Sequence, residues 1–565
     1  MTFLDKLKHD ISSELNLNED LFIYPQESHL GDLSFPCFIL AKEKKENPLE
    51  VATSLAQGAQ DNENLKKIFS KIEAAGPYLN FFIKNSYLAP LVLADIKKEK
   101  ENYGFAKKTE AKKIMIEYSN GNTHKEYHVG HLRNISYGEA VKNLLITQGN
   151  KVIPVSYIND FGIHVAKTIW NWRLNPVYEE RPEAKGFLLG KCYSEASKKL
   201  NDNPELKEGV AEVMKNIEKR SGADYELWQK TRDWSISYFD NIYNELGIKF
   251  TEIFYESEVI AEGLKIVDHL LEQGILEKSQ GAIIADLNAY DLGVLPIIRS
   301  DGTALYPVAD LALASEKFKK YDLDVSIYVV DVRQSQYFKQ LFKVLELAGY
   351  KQPLIHLSYD FITLPEGMMA SRTGNVITYE DLKNKLVEKL LRETIRRHEN
   401  WTVSRQEKVA NSLALSTIKF EMLKVGAEKT ITFNIEEASR SEGFTACYVL
   451  YGYARLRSII RKSGFSFSLS DPNLSLLEDP REKEILLKLA KYSEVLKTAS
   501  DKYNPGDLIK YLFELVQMFN DYYHNCNILK ADKNLKLARL SLLKHLSQVL
   551  INGFKVIGLE PLEEM

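Results

Sequence analysis

The spacing of apolar positions changes character twice along the chain. Residues 1 to about 105 mix short amphipathic segments with a strand-like run, Ala74 to Ile83 (AAGPYLNFFI), and a lysine-rich helix near Ile96 to Glu101. This reads as a small α+β domain. From Lys112 a strand pattern (KKIMIEYS), a polar turn, a helical pattern (HLRNISYGEAVKNLLITQG) and a second strand pattern (KVIPVSYIND) follow one another. That order is a βαβ unit. Its helix carries Leu132, Ile135, Val141, Leu144 and Leu145 on one face, and Gly149 stands where a C′ glycine ends a helix. Pro154 weakens the second strand, because proline cannot donate to a ladder.

Residues near 171 to 248 are polar, helical and tryptophan-bearing, and read as an insertion. Strand patterns return at Gly281 to Leu287, Val325 to Asp331 and Leu354 to Tyr359, with Asp301-Gly302 as a hairpin turn. The middle of the chain is thus expected to be doubly wound α/β. After Trp401 strands vanish and amphipathic helices run to the end. One opens on Asn504-Pro505 and carries Leu508, Leu512, Leu515, Phe519 and Tyr523 at helical spacing. The expected domains are therefore 1–105, 106–400 and 401–565.

At 565 residues the chain exceeds what one core organises, and its 44% hydrophobic and 27% charged residues are those of an ordinary globular protein. A net charge of -4 gives no basic signature, so a nucleic-acid surface would have to be a local patch. Cys37, Cys192, Cys447 and Cys526 lie far apart, which argues against a disulfide framework and a zinc site. The charged amphipathic start and the lack of a run of about 20 apolar residues point to a cytoplasmic chain with no membrane span.

Chemistry concentrates in Glu117 to Asn134, EYSNGNTHKEYHVGHLRN. His128 and His131 flank Gly130 where a helix leaves a strand. A helix N-terminus has free N–H groups that suit phosphate, glycine admits a nucleotide close to the backbone, and imidazoles there can donate to phosphate oxygens. An isolated H-x-G-H is as well explained by a solvated helix start. The context, a strand, an asparagine-rich loop and then HVGHLRN, resembles the HIGH signature of class I aminoacyl-tRNA synthetases, and within them the arginyl-tRNA synthetases.

That resemblance implies an ATP-dependent arginine–tRNA ligase with a doubly wound, Rossmann-type catalytic domain, an N-terminal α+β domain and a C-terminal helix bundle. Glu117, Ser119, Asn122 and Lys125 match the family's residues before the histidines. Asn122 and Ser119 would then hold the amino acid's α-ammonium and carboxylate ends, and Lys125 would face ATP phosphates. The mobile KMSKS loop of the class is represented by Met368 to Asn375, MMASRTGN, which lacks both lysines. Met369 and Ser371 would lie at ATP, and Arg372 would stand in for a missing lysine. Thr378 and Asp381 read as a capping box.

A guanidinium substrate needs carboxylates and aromatic rings in fixed geometry. The segment ALYPVADLALA places Tyr306 and Asp310 four apart after a helix-starting proline, so both would project from one face. Family resemblance assigns this pair to the guanidinium, adds Glu256 in FTEIFYES, and puts Gln334, at the carboxyl end of a strand, near the α-amino group. It also nominates Tyr78 and Asn80 as readers of the tRNA D-loop, and Tyr451, Phe519 and Tyr523 in the helical bundle as bases' stacking partners. Aromatics at helical spacing are equally well read as core.

The implied cofactor is ATP with Mg2+, the partners are tRNA(Arg) and L-arginine, and a monomer is expected. The family also implies that activation waits for tRNA. Two rivals remain at this point. Small-molecule nucleotidyltransferases share H-x-G-H but not the helical bundle. A non-catalytic tRNA-binding relative would explain the lysine-free loop but not the paired histidines.

Overall fold

A computed structural model describes residues 2–25, 27–107, 110–175, 178, 184–365, 367–368, 377–464 and 472–565. At the N-terminus, strands β1 (Leu33–Pro36), β2 (Phe69–Ala75) and β3 (Tyr78–Ile83) form an antiparallel sheet in the order β1-β3-β2. The strand-like run from Ala74 is therefore the turn and second arm of a hairpin. Gly76 takes φ +58°, the left-handed value that the turn demands. The helix expected near Ile96 begins earlier and spans Asn85–Glu99.

The centre is a parallel sheet of β4 (Lys113–Glu117), β5 (Lys151–Ile158), β6 (Glu252–Tyr255), β10 (Val325–Asp331) and β11 (Leu354–Tyr359). Their spatial order is β11-β10-β4-β5-β6. From β4 the chain winds outward to β6, then returns to the other side of β4, so the winding reverses between β4 and β10. Ligands bind at the carboxyl ends of strands beside such a reversal. The βαβ helix spans Val129–Thr147, its five predicted apolar residues are buried, and Gly149 caps it with φ +73°.

Two expectations change. Pro154 sits inside β5, opposite Ile116 of β4, without breaking the strand. Its carbonyl accepts from Thr251, just before β6 begins, so its missing N–H faces a stretch where no ladder partner is due. The strand near Gly281 to Leu287 does not join the parallel sheet. As β8 (Ala282–Asp286) it lies between β7 (Glu277–Ser279) and β9 (Val294–Ile298) in an antiparallel sheet. The fifth parallel strand is instead β6, in the segment FTEIFYES. Asp301-Gly302 does form a tight turn, closed by Gly302 N–H to the Arg299 carbonyl, and leads back to a single bridge between Ile298 and Ala304.

The polar region after 171 is helical, but it is not a separate appendage. Its last helix, Ala223–Glu245, buries Phe239, Ile242 and Tyr243 in the same core as the parallel sheet. Beyond the sheet, β12 (Ile362–Leu364) pairs with β13 (Gly367–Met368) and with β14 (Ile431–Thr432). Apart from β14, the described elements after Trp401 are helices. One is Pro505–Asn525, capped by Asn504, with Leu508, Leu512, Leu515 and Phe519 wholly buried. Among the described residues no helix is long and apolar enough to cross a membrane.

Candidate active site

At the carboxyl end of β4 the chain turns through Ser119 and His124, both with positive φ, and enters the Val129–Thr147 helix. His128 is its N-cap. The Nδ1 of His128 accepts from the Gly130 N–H at 3.1 Å, and the Nδ1 of His131 accepts from the His128 N–H at 3.1 Å. Each Nδ1 is thereby an acceptor without a proton. In the neutral rings the proton must sit on Nε2, which becomes a donor. The rings lie 3.8 Å apart between centroids. Burial pushes His128 down to about 4, helped by Lys125 and Arg333, and holds His131 well below the ordinary range. Both are neutral donors near pH 7. Gly130 is required beside them, because a Cβ there would stand 2.9 Å from the His128 ring.

The helix Ala223–Glu245 fixes this loop. Its Ser235 hydroxyl accepts from the His124 N–H at 3.0 Å, Thr231 meets His124 Nε2 at 2.8 Å, and Tyr238 accepts from the Tyr127 N–H at 3.3 Å. Tyr243 receives a hydrogen bond from the Ser119 hydroxyl at 3.1 Å. From the opposite side, Tyr379 donates its N–H to the Tyr127 carbonyl at 2.7 Å, and Val129 donates to Ile377. The helix that follows, Tyr379–Arg397, starts at Thr378, whose hydroxyl accepts from the Asp381 N–H.

A second cluster gathers at the ends of β5, β6 and the helix Tyr306–Tyr321. Asn159, just past β5, donates to Glu256 at 2.9 Å, and Tyr337 donates to Asp310. Burial pushes Glu256 up to about 7 against the Asn159 bond, with Asp160 and Asp310 adding to the rise. Burial also pushes Asp310 up to about 7, opposed by the Tyr337 bond. Tyr306 is 70% exposed, yet its hydroxyl feels Glu256 and Asp310. Two carboxyls with neutral hydrogen-bond partners, beside a phenol ring, suit a cation with several donors.

The predicted residues fall into three groups. His128, Gly130, His131, Lys125 and Asn122 share the loop after β4. Lys125 stands 5.0 Å over the Tyr193 ring, and Asn122 bridges to Asn159. Glu256, Tyr306 and Asp310 share the acidic cluster. Gln334 lies exposed in the turn after β10, at the reversal point.

Ser119 is placed differently. Its side chain is 1% exposed, lodged between the hydroxyls of Tyr127 and Tyr243, where it holds the loop. Asn80 is also buried, accepting from the Ser34 hydroxyl at 2.6 Å, while Tyr78 packs edge-on against the half-exposed Phe38. In the helical bundle Phe519 is core, but Tyr451 and Tyr523 flank Arg455 at 5.0 and 5.6 Å. Met369, Ser371 and Arg372 lie outside the described residues.

Sequence reasoning missed Asn159, Asp160 and Tyr337. The first two stand directly after a parallel strand, a signal that was available. Asp160 takes three groups at once: the Arg232 guanidinium, and the N–H and hydroxyl of Ser257. Nothing local marks Tyr337.

The chain matches the family model for the catalytic domain of class I tRNA synthetases (R) over residues 92–434. It matches the arginyl tRNA synthetase N terminal domain over 3–83 and the DALR anticodon binding domain over 449–565. It is 35% identical over 556 residues to an arginine–tRNA ligase of Bdellovibrio bacteriovorus, covering 96% of this chain and 94% of that one. An arginine–tRNA ligase of Clostridium perfringens is 32% identical over 564 residues, 99% of each chain. Among solved structures, arginyl-tRNA synthetase of Thermus thermophilus superposes with a TM-score of 0.81 over the whole of both chains at 24% identity. That of Plasmodium falciparum gives 0.78 at 20% identity, over 100% of this chain and 99% of the other. With the histidine pair and the acidic cluster set on such a sheet, the chain belongs to the class I arginyl-tRNA synthetases, the arginine–tRNA ligases.

Proposed function

We propose that the two clusters divide the ligase reaction between them, the histidine loop serving ATP and the acidic cluster serving arginine. The arginine carboxylate attacks the α-phosphorus of ATP and pyrophosphate leaves. A ribose hydroxyl at the tRNA 3′ end then attacks the arginyl carbonyl, and AMP leaves. The Nε2–H groups of His128 and His131 donate to the phosphate oxygens on which charge grows, at no cost of reorganisation. Lys125 and the Arg372 segment, with Met369 and Ser371, complete the ATP side. Magnesium would enter with ATP and would offset phosphate charge.

On the other side Asp310 and Glu256 take the guanidinium and Tyr306 covers it. Asn122 and Gln334 face the amino acid's α-groups. Ser119 supports them by fixing the loop. Tyr78, and Tyr451 and Tyr523 with Arg455 between them, offer ring faces for tRNA bases, a mode suited to unpaired loops. Asn80 supports that surface from beneath. The protein acts as a monomer in the cytoplasm.

The observation that carries this reading is the acidic cluster: two half-buried carboxyls whose hydrogen-bond partners are neutral, near one carboxyl edge with a donor pair suited to phosphate. Charging assays with each standard amino acid and total tRNA test it. Arginine alone should be attached. Asp310→Asn should lower kcat/KM for arginine about 30-fold, as loss of a charged hydrogen bond of about 2 kcal/mol implies, with the ATP KM unchanged. An unchanged arginine dependence would remove Asp310 from the pocket.

A further inference from the structure

Lys317 is a puzzle beneath the acidic cluster. It sits seven residues, or two helical turns, beyond Asp310 on the helix Tyr306–Tyr321, on the same face. Its side chain is fully buried, in a helix whose neighbouring Leu311, Ala312, Leu313 and Ala314 are buried too. It forms an ion pair with Glu117, the last residue of β4, also nearly wholly buried. Glu117 takes a further hydrogen bond from Asn120 of the histidine loop at 3.0 Å. The ammonium lies 4.6 Å over the Tyr328 ring.

Stability does not explain such a pair, because desolvating two charges cancels most of their attraction and apolar residues of like size often do as well. Its position does. Lys317 is the protein's own cation within electrostatic reach of Asp310, the carboxylate meant for the substrate.

We propose that Glu117 is a positioning residue that sequesters Lys317, so that Asp310 keeps its capacity for the arginine guanidinium instead of pairing with the protein's own lysine. This rests on the assignment of Asp310 to arginine. Without Glu117, the ammonium would turn to Asp310, which lies two turns back on the same helix face and has only the neutral Tyr337 hydroxyl as its hydrogen-bond partner here, and arginine would have to displace it. Asp310 is also faced by Glu256, Tyr157, Tyr306, Tyr328 and Tyr337, none of which is a cation. Lys317 favours the charged form of Asp310 and Glu117 opposes it, so removing either one moves Asp310 in a known direction.

The full-length protein with tRNA and ATP gives the test, as kcat and KM for arginine from pH 5.5 to 9. Glu117→Gln should raise the arginine KM about tenfold with a smaller change in kcat, and shift the acid limb of kcat/KM to lower pH. The double variant Glu117→Gln, Lys317→Met removes the competing cation and should restore the arginine KM to within about threefold of wild type. Lys317→Met alone, which stays informative should Glu117→Gln fold poorly, should move the acid limb upward or leave it in place, never downward. A double variant as impaired as Glu117→Gln would overturn the proposal, as would a downward shift for Lys317→Met. Should Asp310→Asn itself leave arginine dependence intact, the fault lies with the pocket assignment and not with the pair.

Discussion

Both halves of the site are half-buried, yet they respond to burial in opposite senses. Desolvation disfavours charge, so it drives the histidines down and the carboxyls up. For His128 and His131 the result is the working state: neutral rings, each locked by a backbone N–H on Nδ1, with a donor already presented. For Asp310 and Glu256 the result is a pocket that is half protonated near pH 7 until a cation arrives. The histidine half is preorganised by the chain alone. In the proposed reading the acidic half is completed by its ligand.

Removing a histidine should have the largest effect. His128→Ala or His131→Ala should lower ATP–pyrophosphate exchange, measured with tRNA present, by about 100-fold to 1000-fold, as loss of one preorganised donor does. The arginine KM should hardly move. Equal losses in both would merge the two halves that the comparison separates.

Tyr337→Phe should come next and should depend on pH. Its hydroxyl favours the ionised form of Asp310, so its removal raises the Asp310 pKa. The arginine kcat/KM should fall about 3-fold to 10-fold at pH 6.5, and less at pH 8.5 where the carboxyl ionises anyway. A loss independent of pH would point to packing alone.

Thermal denaturation sharpens the contrast. The carboxyls titrate at about 7 in the folded chain and near 4 when unfolded, so the native state holds its protons more tightly. Their contribution is present below pH 4 and is lost as pH rises toward 7. The histidines, depressed in the folded chain, contribute stability above pH 6.5 that is lost as pH falls toward 4. A fixed excess of arginine should therefore raise the Tm more at pH 8 than at pH 5.5. An equal rise at both would mean that the ligand does not bind the ionised carboxyls.

The smallest effect expected is on the loop's support. Thr231→Val removes the hydroxyl that meets His124 Nε2, leaves a buried ring nitrogen without that partner, and should cost about 1 to 3 kcal/mol of stability. Exchange activity at 25 °C should drop severalfold at most. A loss as large as that of His128→Ala would show that the insertion helix, and not the chain after β4 itself, sets the donor geometry.

What the sequence determined by itself is whatever a few neighbouring residues can encode. The H-x-G-H turn at a helix start, the Gly149 stop, the Asn504-Pro505 start and the four-residue spacing of Tyr306 and Asp310 are all such signals, and each is present in the fold. Tertiary structure decided everything that depends on a partner far along the chain. Pro154 is harmless only because β6 starts at Glu252. Ser119 and Phe519 match motifs that face a ligand or a base, yet neighbours over a hundred residues away or in the bundle core bury them. Tyr337 meets Asp310 across 27 residues, and Lys317 meets Glu117 across 200. Helical and strand periods report which side of an element is apolar. Which carboxyl is left without a cation is a property of the packed sheet, because charge and burial are fixed only when distant segments close over one another.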